Sequence, residues 1–120
     1  MEALPFKMGH SGLKGRIRFE APLVIVEFRK WSWRRFEWKT ATSEISVKEI
    51  DSVEYTKNLF GACLDLQLKS RKTALEIPRL HPGRIRFRFA RKYRNFALYL
   101  AGDVDLDLVR SWRDLESELR

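Results

Sequence analysis

The residue types that most often do chemistry are few in this chain and do not form a catalytic pattern. A nucleophile needs a neighbouring base, and the base needs a group that orients it. The chain has one cysteine, Cys63, and two histidines, His10 and His81, and none has such partners nearby in the sequence. The histidines are typical of solvated polar residues, and Cys63 is interpreted as structural. We therefore expect no enzymatic activity, no metal and no cofactor.

Two further patterns resemble ligand sites only weakly. Gly9, Gly12 and Gly15 form a G-x-x-G-x-x-G run, but neither Lys-Ser nor Lys-Thr follows it, and a strand rather than a helix comes next. Residues 103–107 (DVDLD) alternate carboxylates but lack the glycine and the distal glutamate of a calcium loop. The first pattern is interpreted as a leader into a strand, and the second as acidic residues at a helix start, where Asp103 or Asp105 could cap.

A cluster of cations and tryptophans is the strongest candidate for a binding site. Residues 29–35 (RKWSWRR) place Arg29, Lys30, Arg34 and Arg35 around Trp31 and Trp33 in an expected hairpin loop. Cations attract phosphates, and indole can stack on a base, enter a membrane interface or pack on a partner. The alternative is that the tryptophans cap the open end of a barrel and the cations only keep it soluble. If an anionic ligand binds, we expect it here, with Lys14, Arg16 and Arg18 as secondary contacts.

The charge of the chain is strongly uneven. The net charge is +8, with an isoelectric point near 10.0. Residues 102–120 hold six carboxylates and three arginines, a net charge of −3, so the first 101 residues carry +11. Such a basic body attracts polyanions, whether nucleic acid, acidic lipid or an acidic protein surface.

Length and composition predict one globular domain. The chain has 120 residues, of which 44% are hydrophobic and 33% charged, as in a protein with a single core. One cysteine favours a reducing compartment, no apolar run reaches the ~18 residues of a membrane helix, and the first residues do not resemble an export signal. We expect a cytoplasmic protein.

Hydrophobic residues alternate with polar ones from Gly15 onward, which predicts strands. Seven strand-like runs end at the stretch RIRFRF (84–89), where Arg84, Arg86 and Arg88 form an outward stripe. Arg16 and Arg18 form a similar stripe, and Glu20, Glu37 or Glu76 are the expected cross-strand partners of both stripes. The predicted core consists of Phe19, Val26, Phe28, Trp38, Leu66 and Phe87, with Phe96 and Leu100 from a helix above it.

Helical spacing replaces alternation near the C-terminus, and Gly102 is expected to interrupt it. The chain is therefore divided into an N-terminal arm (1–14), held loosely, a β-barrel with a capping helix (15–101) and an acidic helical tail (102–120). In the tail, Leu108, Trp112, Leu115 and Leu119 form one apolar stripe. We expect this stripe to dock on its own domain or on a second copy, with Trp112 as the largest anchor.

Seven strands followed by a C-terminal helix predict a mainly β fold: a small barrel or sandwich closed by the helix. This order resembles the pleckstrin-homology-like (PH-like) family. Residues 45–54 (ISVKEIDSVE) are similar to the third-to-fourth strand passage of bacterial members, and residues 76–87 and 91–101 to their final hairpin and helix. The resemblance implies a binding module for phosphoinositides, peptides or protein surfaces. A lipocalin-like or other small barrel is the alternative.

Three kinds of partner fit these features. A protein or peptide partner, or a second copy, would contact the apolar residues expected to be exposed, which are Leu23, Ile25, Leu59, Phe60 and Trp112. An anionic phospholipid or phosphorylated ligand would bind the basic-aromatic loop. Non-specific nucleic-acid binding is the third interpretation, although the chain has no nucleic-acid recognition motif. The sequence favours the protein partner.

Overall fold

The computed structural model describes residues 3–8, 13–69 and 83–119, with side chains for all of these except residues 30, 31 and 111–119. Its seven strands are β1 Leu4–Met8, β2 Leu13–Glu20, β3 Leu23–Ser32, β4 Glu37–Ser46, β5 Ile50–Lys57, β6 Gly61–Leu68 and β7 Arg84–Ala90. Two 3-10 turns, Val47–Glu49 and Arg91–Tyr93, precede β5 and the helix α1, Arg94–Leu119. The predicted mainly β class with a C-terminal helix is confirmed.

The strands form one antiparallel sheet in the order β4-β3-β2-β1-β7-β6-β5. Because β4 and β5 are its two edges, the sheet is not closed, and the expectation of a closed barrel is wrong. The turn Val47–Glu49 separates the edges: the Val47 N–H donates to the Pro22 carbonyl, and the Lys69 N–H donates to the Glu49 carbonyl. The local alternation of apolar and polar residues predicts strands. It does not predict whether the edge strands β4 and β5 pair with each other, because that pairing is a long-range property of the fold.

Strand β1 corrects the expectation of a loosely held arm in residues 1–14. Leu4, Phe6 and Met8 are buried and alternate with exposed Pro5 and Lys7, so this short segment follows the same period as the later strands. It lies in the middle of the sheet, between β2 and β7. Its register with β7 includes only Lys7 opposite Arg88, and the ladder is absent beside Pro5, which has no N–H to donate.

The core lies between the inner face of the sheet and α1. Phe6 and Phe87 make an edge-to-face contact with ring centroids 4.9 Å apart. Of the predicted core, Val26, Phe28, Leu66, Phe87 and Leu100 are buried, and Phe19 is partly buried against the cluster. Gly15 faces this side of β2, where a Cβ would collide with the carbonyl oxygen of Glu27, so glycine allows β2 and β3 to approach closely.

Two residues of the predicted core lie outside it. Trp38 lies on β4 opposite Trp31, which is beyond Phe28, the last residue of β3 that pairs with β2. Strand β2 therefore does not extend beside Trp38, which is 64% exposed. Phe96 is 56% exposed, whereas the next residue, Ala97, faces the core. Successive residues of an α-helix point about 100° apart, so Phe96 points away from the core.

Helix α1 is continuous from Arg94 to Leu119, and the predicted break at Gly102 is wrong. Gly102, Asp103 and Asp105 lie within the helix rather than at a cap. Ala97, Leu100, Ala101, Val104 and Leu108 face the core at helical spacing. The burial of Leu108 therefore extends the docked face into the predicted tail.

Some predictions fall on residues that the structure does not describe. These are the histidines, the glycines 9 and 12, and Glu76, an expected partner of the arginine stripe. The side chains of Trp112, Leu115 and Leu119 are also outside the described set. Within the described residues, no helix has the length and apolarity needed to span a bilayer.

Candidate functional site

Residues 29–40 form an extension of the β3–β4 hairpin that we call the hairpin arm. Strands β3 and β4 pair along their whole length, from Leu23 opposite Ser46 to Ser32 opposite Glu37. The register of β3 with β2 ends at Phe28, so the hairpin arm pairs only with itself. Phe36 closes the turn with a φ of 51°, in the left-handed region that few non-glycine residues adopt. The hairpin arm therefore presents its tip away from the sheet.

Large aromatic side chains at the tip of the hairpin arm face solvent. Trp33 is 77% exposed, Phe36 74% and Trp38 64%. The interpretation of Trp33 as a cap on a barrel end is therefore wrong, since a capping side chain would be buried. Trp31 lies opposite Trp38 in the register, although its side chain is outside the described set. An exposed apolar cluster of this kind on a monomer marks an interaction surface.

The hairpin arm is also strongly basic. It contains five cations and one carboxylate, a net charge of +4. Arg35 lies 3.9 Å from Glu37, a weak and exposed pair. Arg29 and Arg34 form no ion pair with any residue that the structure describes. The predicted site residues of this loop are thus exposed, apart from Lys30 and Trp31, whose side chains are not described.

Arg18 is not available as a ligand contact, which corrects its predicted role. Its Nη1 donates to Glu27 Oε1 at 2.7 Å and its Nε to Glu20 Oε1 at 3.1 Å. The hydrogen bond that Arg18 donates to Glu27 is the main cause of the raised pKa of Arg18. Of these two carboxylates, Glu20 was among the expected partners of Arg18, whereas Glu27 becomes a visible partner only in the folded hairpin.

A second basic feature crosses the outer face of the sheet, and we call it the cation row. Lys7 lies directly opposite Lys14 on β2 and Arg88 on β7. Arg29 joins Lys14 as a wall of one surface depression of about 510 Å³. Lys7, Lys14 and Arg88 line a second depression of about 530 Å³, which Tyr93 also lines. None of the four cations forms an ion pair with a described residue.

The predicted secondary contacts are therefore only partly assembled. Lys14 belongs to the cation row, and exposed Arg16 lies beside it in the depression that Arg29 lines. Lys7 and Arg88 were not singled out as ligand contacts. The arginine stripe of β7 indicated Arg88, but no local signal connects Lys7 to it, because the two are brought together by the pairing of the first and last strands.

The other two arginines of that stripe bind Asp65, which was not among the predicted partners, and the predicted partner Glu76 lies outside the described residues. Arg86 donates from Nε to Asp65 Oδ1 at 2.8 Å, and Arg84 donates from Nη2 to Asp65 Oδ2 at 2.7 Å. Burial alone would raise the pKa of Asp65, but these hydrogen bonds outweigh it and the pKa is lowered. This cluster is a structural charge network, and Arg88 is the member of the stripe that has no ion pair with a described residue.

The expected apolar contact residues separate into two groups. Leu59 and Phe60 are 78% and 88% exposed in the β5–β6 turn. Leu23 is half-buried, and Ile25 is buried at 6% exposure because it lies between Arg18 on β2 and Glu44 on β4 in the register. Ile25 is therefore not a contact residue.

The β5–β6 turn holds Leu59 and Phe60 rigidly. Asn58 Oδ1 accepts hydrogen bonds from the backbone N–H groups of Phe60 and Gly61, both at 2.9 Å. Arg94 Nη1 donates to the Asn58 carbonyl at 3.1 Å, and the Tyr55 hydroxyl donates to the Arg94 carbonyl at 3.0 Å. The start of α1 is thereby tied to the turn.

Within the described residues, no three His, Cys, Asp or Glu side chains come together as metal ligands. Cys63 is half-buried on the outer face of β6, opposite Arg88. Comparison with models of protein families, with curated proteins and with solved structures finds no match to this chain. The geometry of the site is thus the basis for any functional assignment.

Proposed function

We propose that this chain is a non-catalytic module that docks on anionic phospholipid surfaces through the hairpin arm. The observation that carries the proposal is the exposure of Trp33, Phe36 and Trp38 at the tip of a basic extension. Tryptophan and phenylalanine partition into the bilayer interface, and cations are attracted to acidic headgroups. Both interactions act at the same surface here, and the burial of Ile25 removes part of the apolar surface that favoured a protein partner.

The hairpin arm suits shallow insertion. Since it pairs only with itself, its tip can enter the headgroup layer while the sheet remains in water. Each cation near an acidic membrane contributes about 1 kcal/mol of attraction, which falls off within a Debye length. We place the module in the cytoplasm, in keeping with its single cysteine.

We further propose that the module is PH-like. Seven antiparallel strands followed by one C-terminal helix support this relationship. A fold shared with binding modules does not by itself assign a ligand, so the lipid assignment rests on the hairpin arm alone.

The proposal is tested by co-sedimentation with phosphatidylcholine vesicles that contain or lack phosphatidylserine. Binding should require phosphatidylserine and weaken with added salt. Replacing Arg34 and Arg35 with glutamine should lower the partition coefficient about 30-fold, at about 1 kcal/mol per cation. The Trp33→Ser and Phe36→Ser double variant should also lose binding, with no loss of thermal stability because both side chains are exposed.

A matched control is the Leu59→Ser and Phe60→Ser double variant. These residues are as exposed as the tip aromatics but lie in the hairpin at the opposite edge of the sheet. If this control loses vesicle binding as strongly as the tip variants, the hairpin arm is not the docking element. Equal binding to single-stranded nucleic acid and to acidic vesicles would favour a general polyanion binder instead.

A protein or peptide partner is the second candidate, and the rigid β5–β6 turn favours it. The Asn58 and Arg94 hydrogen bonds hold the backbone of the turn that carries Leu59 and Phe60, so little backbone freedom is lost when they bind. Exposed Lys57 next to the turn would favour an acidic rim on the partner. The immobilised protein should capture such a partner, and the Leu59→Ser and Phe60→Ser double variant should capture less of it. The affinity of each captured protein is then measured for both forms.

A further inference from the structure

The depression of about 530 Å³ at the cation row, which we call the cationic depression, is lined by cations and by no carboxylate. Its four cations are Lys7, Lys14, Arg88 and Lys92. None of them forms an ion pair with a described residue. Three other arginines of the same sheet face, Arg18, Arg84 and Arg86, each lie 2.7 or 2.8 Å from a carboxylate oxygen. The cationic depression therefore holds four positive charges that no described residue neutralises.

The positions of these cations are unfavourable for the fold of the chain alone. Lys7 lies directly opposite Lys14 on β2 and directly opposite Arg88 on β7. Like charges that face one another across strands are destabilising. Proteins break local rules of this kind at functional sites and compensate for the cost elsewhere. An anion bound among these side chains would supply the missing opposite charge.

The end of the β1–β7 ladder makes this surface concave. The register of β1 with β7 contains Lys7 and Arg88 but does not reach Pro5. Pro5, Phe89 and Tyr93 line the space beside the end of the ladder. The volume of the cationic depression lies within the range of small-molecule sites. Apolar side chains beside the cations exclude part of the water, which strengthens the attraction between these cations and a bound anion.

A depression with an aromatic wall adjoins the cationic one, and we call it the aromatic depression. It has a volume of about 520 Å³ and shares the lining residues Pro5 and Tyr93 with the cationic depression. Phe96 and Tyr99 also line it and are 56% and 64% exposed. Tyr93, Phe96 and Tyr99 follow one another at intervals of three residues, which places them on one side of the start of α1. Exposed aromatic rings of this kind form a surface on which a planar base can stack.

We propose that the two depressions together bind a nucleoside triphosphate, with its phosphates among the four cations and its base against Phe96 and Tyr99. A single phosphate ester carries a charge of at most about −2, so a chain of phosphates matches four cations better than one phosphate or one carboxylate does. The aromatic depression favours a ligand in which a planar ring is attached to the phosphates, which excludes inorganic polyphosphate and inositol phosphates. The site lies outside the tip of the hairpin arm, so it does not depend on the proposed lipid binding.

Isothermal titration calorimetry with ATP and with inorganic tripolyphosphate tests whether the ligand is a nucleotide. EDTA in the buffer removes divalent cations that would shield the phosphates. We expect ATP to bind and tripolyphosphate, which has no base, to bind about 10-fold more weakly, because stacking on the aromatic wall is lost. The affinity for ATP should fall as sodium chloride is added. The nucleotide assignment is wrong if ATP does not bind, or if tripolyphosphate binds as tightly as ATP.

Two substitutions test the two depressions separately. Arg88→Gln should raise the dissociation constants of ATP and of tripolyphosphate about 10-fold each, since both ligands lose a charge-assisted contact. Tyr99→Ser should raise the dissociation constant of ATP about 10-fold but have little effect on that of tripolyphosphate, because only the base contacts the aromatic wall. Both side chains are exposed, so the fold should be retained, and circular dichroism of each variant checks this.

Lys48→Gln and Leu106→Ser are the matched controls. Lys48 is an exposed cation and Leu106 is a 53% exposed apolar residue of α1, and neither lines the two depressions. Neither control should change the affinity for ATP. If Lys48→Gln weakens ATP binding as much as Arg88→Gln does, ATP responds to the net charge of the molecule and the proposed site is refuted. If Tyr99→Ser affects ATP and tripolyphosphate equally, or ATP not at all, the base does not lie against α1.

Discussion

At the scale of single residues, Asp65 is the most constrained polar group that the structure describes. It is 7% exposed on the outer face of β6, where an isolated carboxylate would be strongly unfavourable. Arg84 and Arg86 supply three hydrogen bonds to its two oxygens. All described buried side-chain polar atoms have partners, so this carboxylate is satisfied by two neighbouring arginines of one strand.

Replacing Asp65 with asparagine should lower the free energy of unfolding at neutral pH by about 2 kcal/mol, since charge-assisted hydrogen bonds are lost. The folded-state pKa of Asp65 lies below its usual value of 3.8, so its contribution is present above that pH and is lost as the pH falls through the folded-state pKa. The unfolding free energies of the two proteins, measured with urea, should therefore begin to converge as the pH falls below 3.8 and coincide only below the folded-state pKa. Asp51→Asn, at an exposed position, is the control; a difference that persists in acid would contradict the assignment.

The sequence predicts residue environments well where alternation is enough and poorly where neighbours from other strands decide. Val26 and Phe28 are buried as their period predicts. Trp38 has the same local pattern but lies beyond the end of the β2–β3 ladder, so the same period leaves it exposed. Arg18 is neutralised by Glu27, nine residues away, a contact that requires the hairpin to form.

At the scale of elements, α1 covers the inner face of the sheet. Its inner face packs on the sheet through Ala97, Leu100, Ala101, Val104 and Leu108. Small residues near its start allow the helix to approach the strands closely, and its first turn is tied to the β5–β6 turn through Arg94. The helix is therefore fixed to the sheet by packing and by hydrogen bonds.

Leu108→Ala should lower the free energy of unfolding by about 3 kcal/mol, because Leu108 is buried at the far end of the docked face and its loss leaves a cavity. Arg110→Ala, two residues later at an exposed position, should change stability little. The comparison requires thermal or urea unfolding at one protein concentration, since self-association would shift the apparent stability. Equal effects of both substitutions would mean that α1 is not docked at Leu108.

Elements that depend on long-range pairing were the hardest to predict. Strand β1 has only five residues and contains Pro5, so it gives a weak strand signal, yet it joins the two halves of the sheet. Gly102 was interpreted as a break because glycine usually weakens a helix. The core packing of Ala101 and Val104, which flank the glycine along α1, maintains the helix, and local propensity alone does not reveal this packing.

At the scale of the whole molecule, charge is distributed in a pattern rather than spread evenly. Arg18, Arg84 and Arg86 on the outer face have carboxylate partners. Between these two networks lies the cation row, where Lys7 faces a cation on either side. Like charges directly opposite one another across strands are destabilising, so the protein tolerates a local repulsion that a bound anion or added salt would relieve.

Stability should therefore rise with salt at low ionic strength, because the Debye length falls from about 30 Å at 0.01 M to about 10 Å at 0.1 M. Lys7→Glu converts two repulsive cross-strand pairs into attractive ones and should raise the melting temperature at low salt by roughly 4 °C. The variant should also show a weaker response to sodium chloride. Lys48→Glu makes the same change in net charge at an exposed site in the Val47–Glu49 turn and is the matched control. If differential scanning calorimetry gives equal shifts for both variants, the repulsion belongs to the net charge of the molecule and not to the cation row.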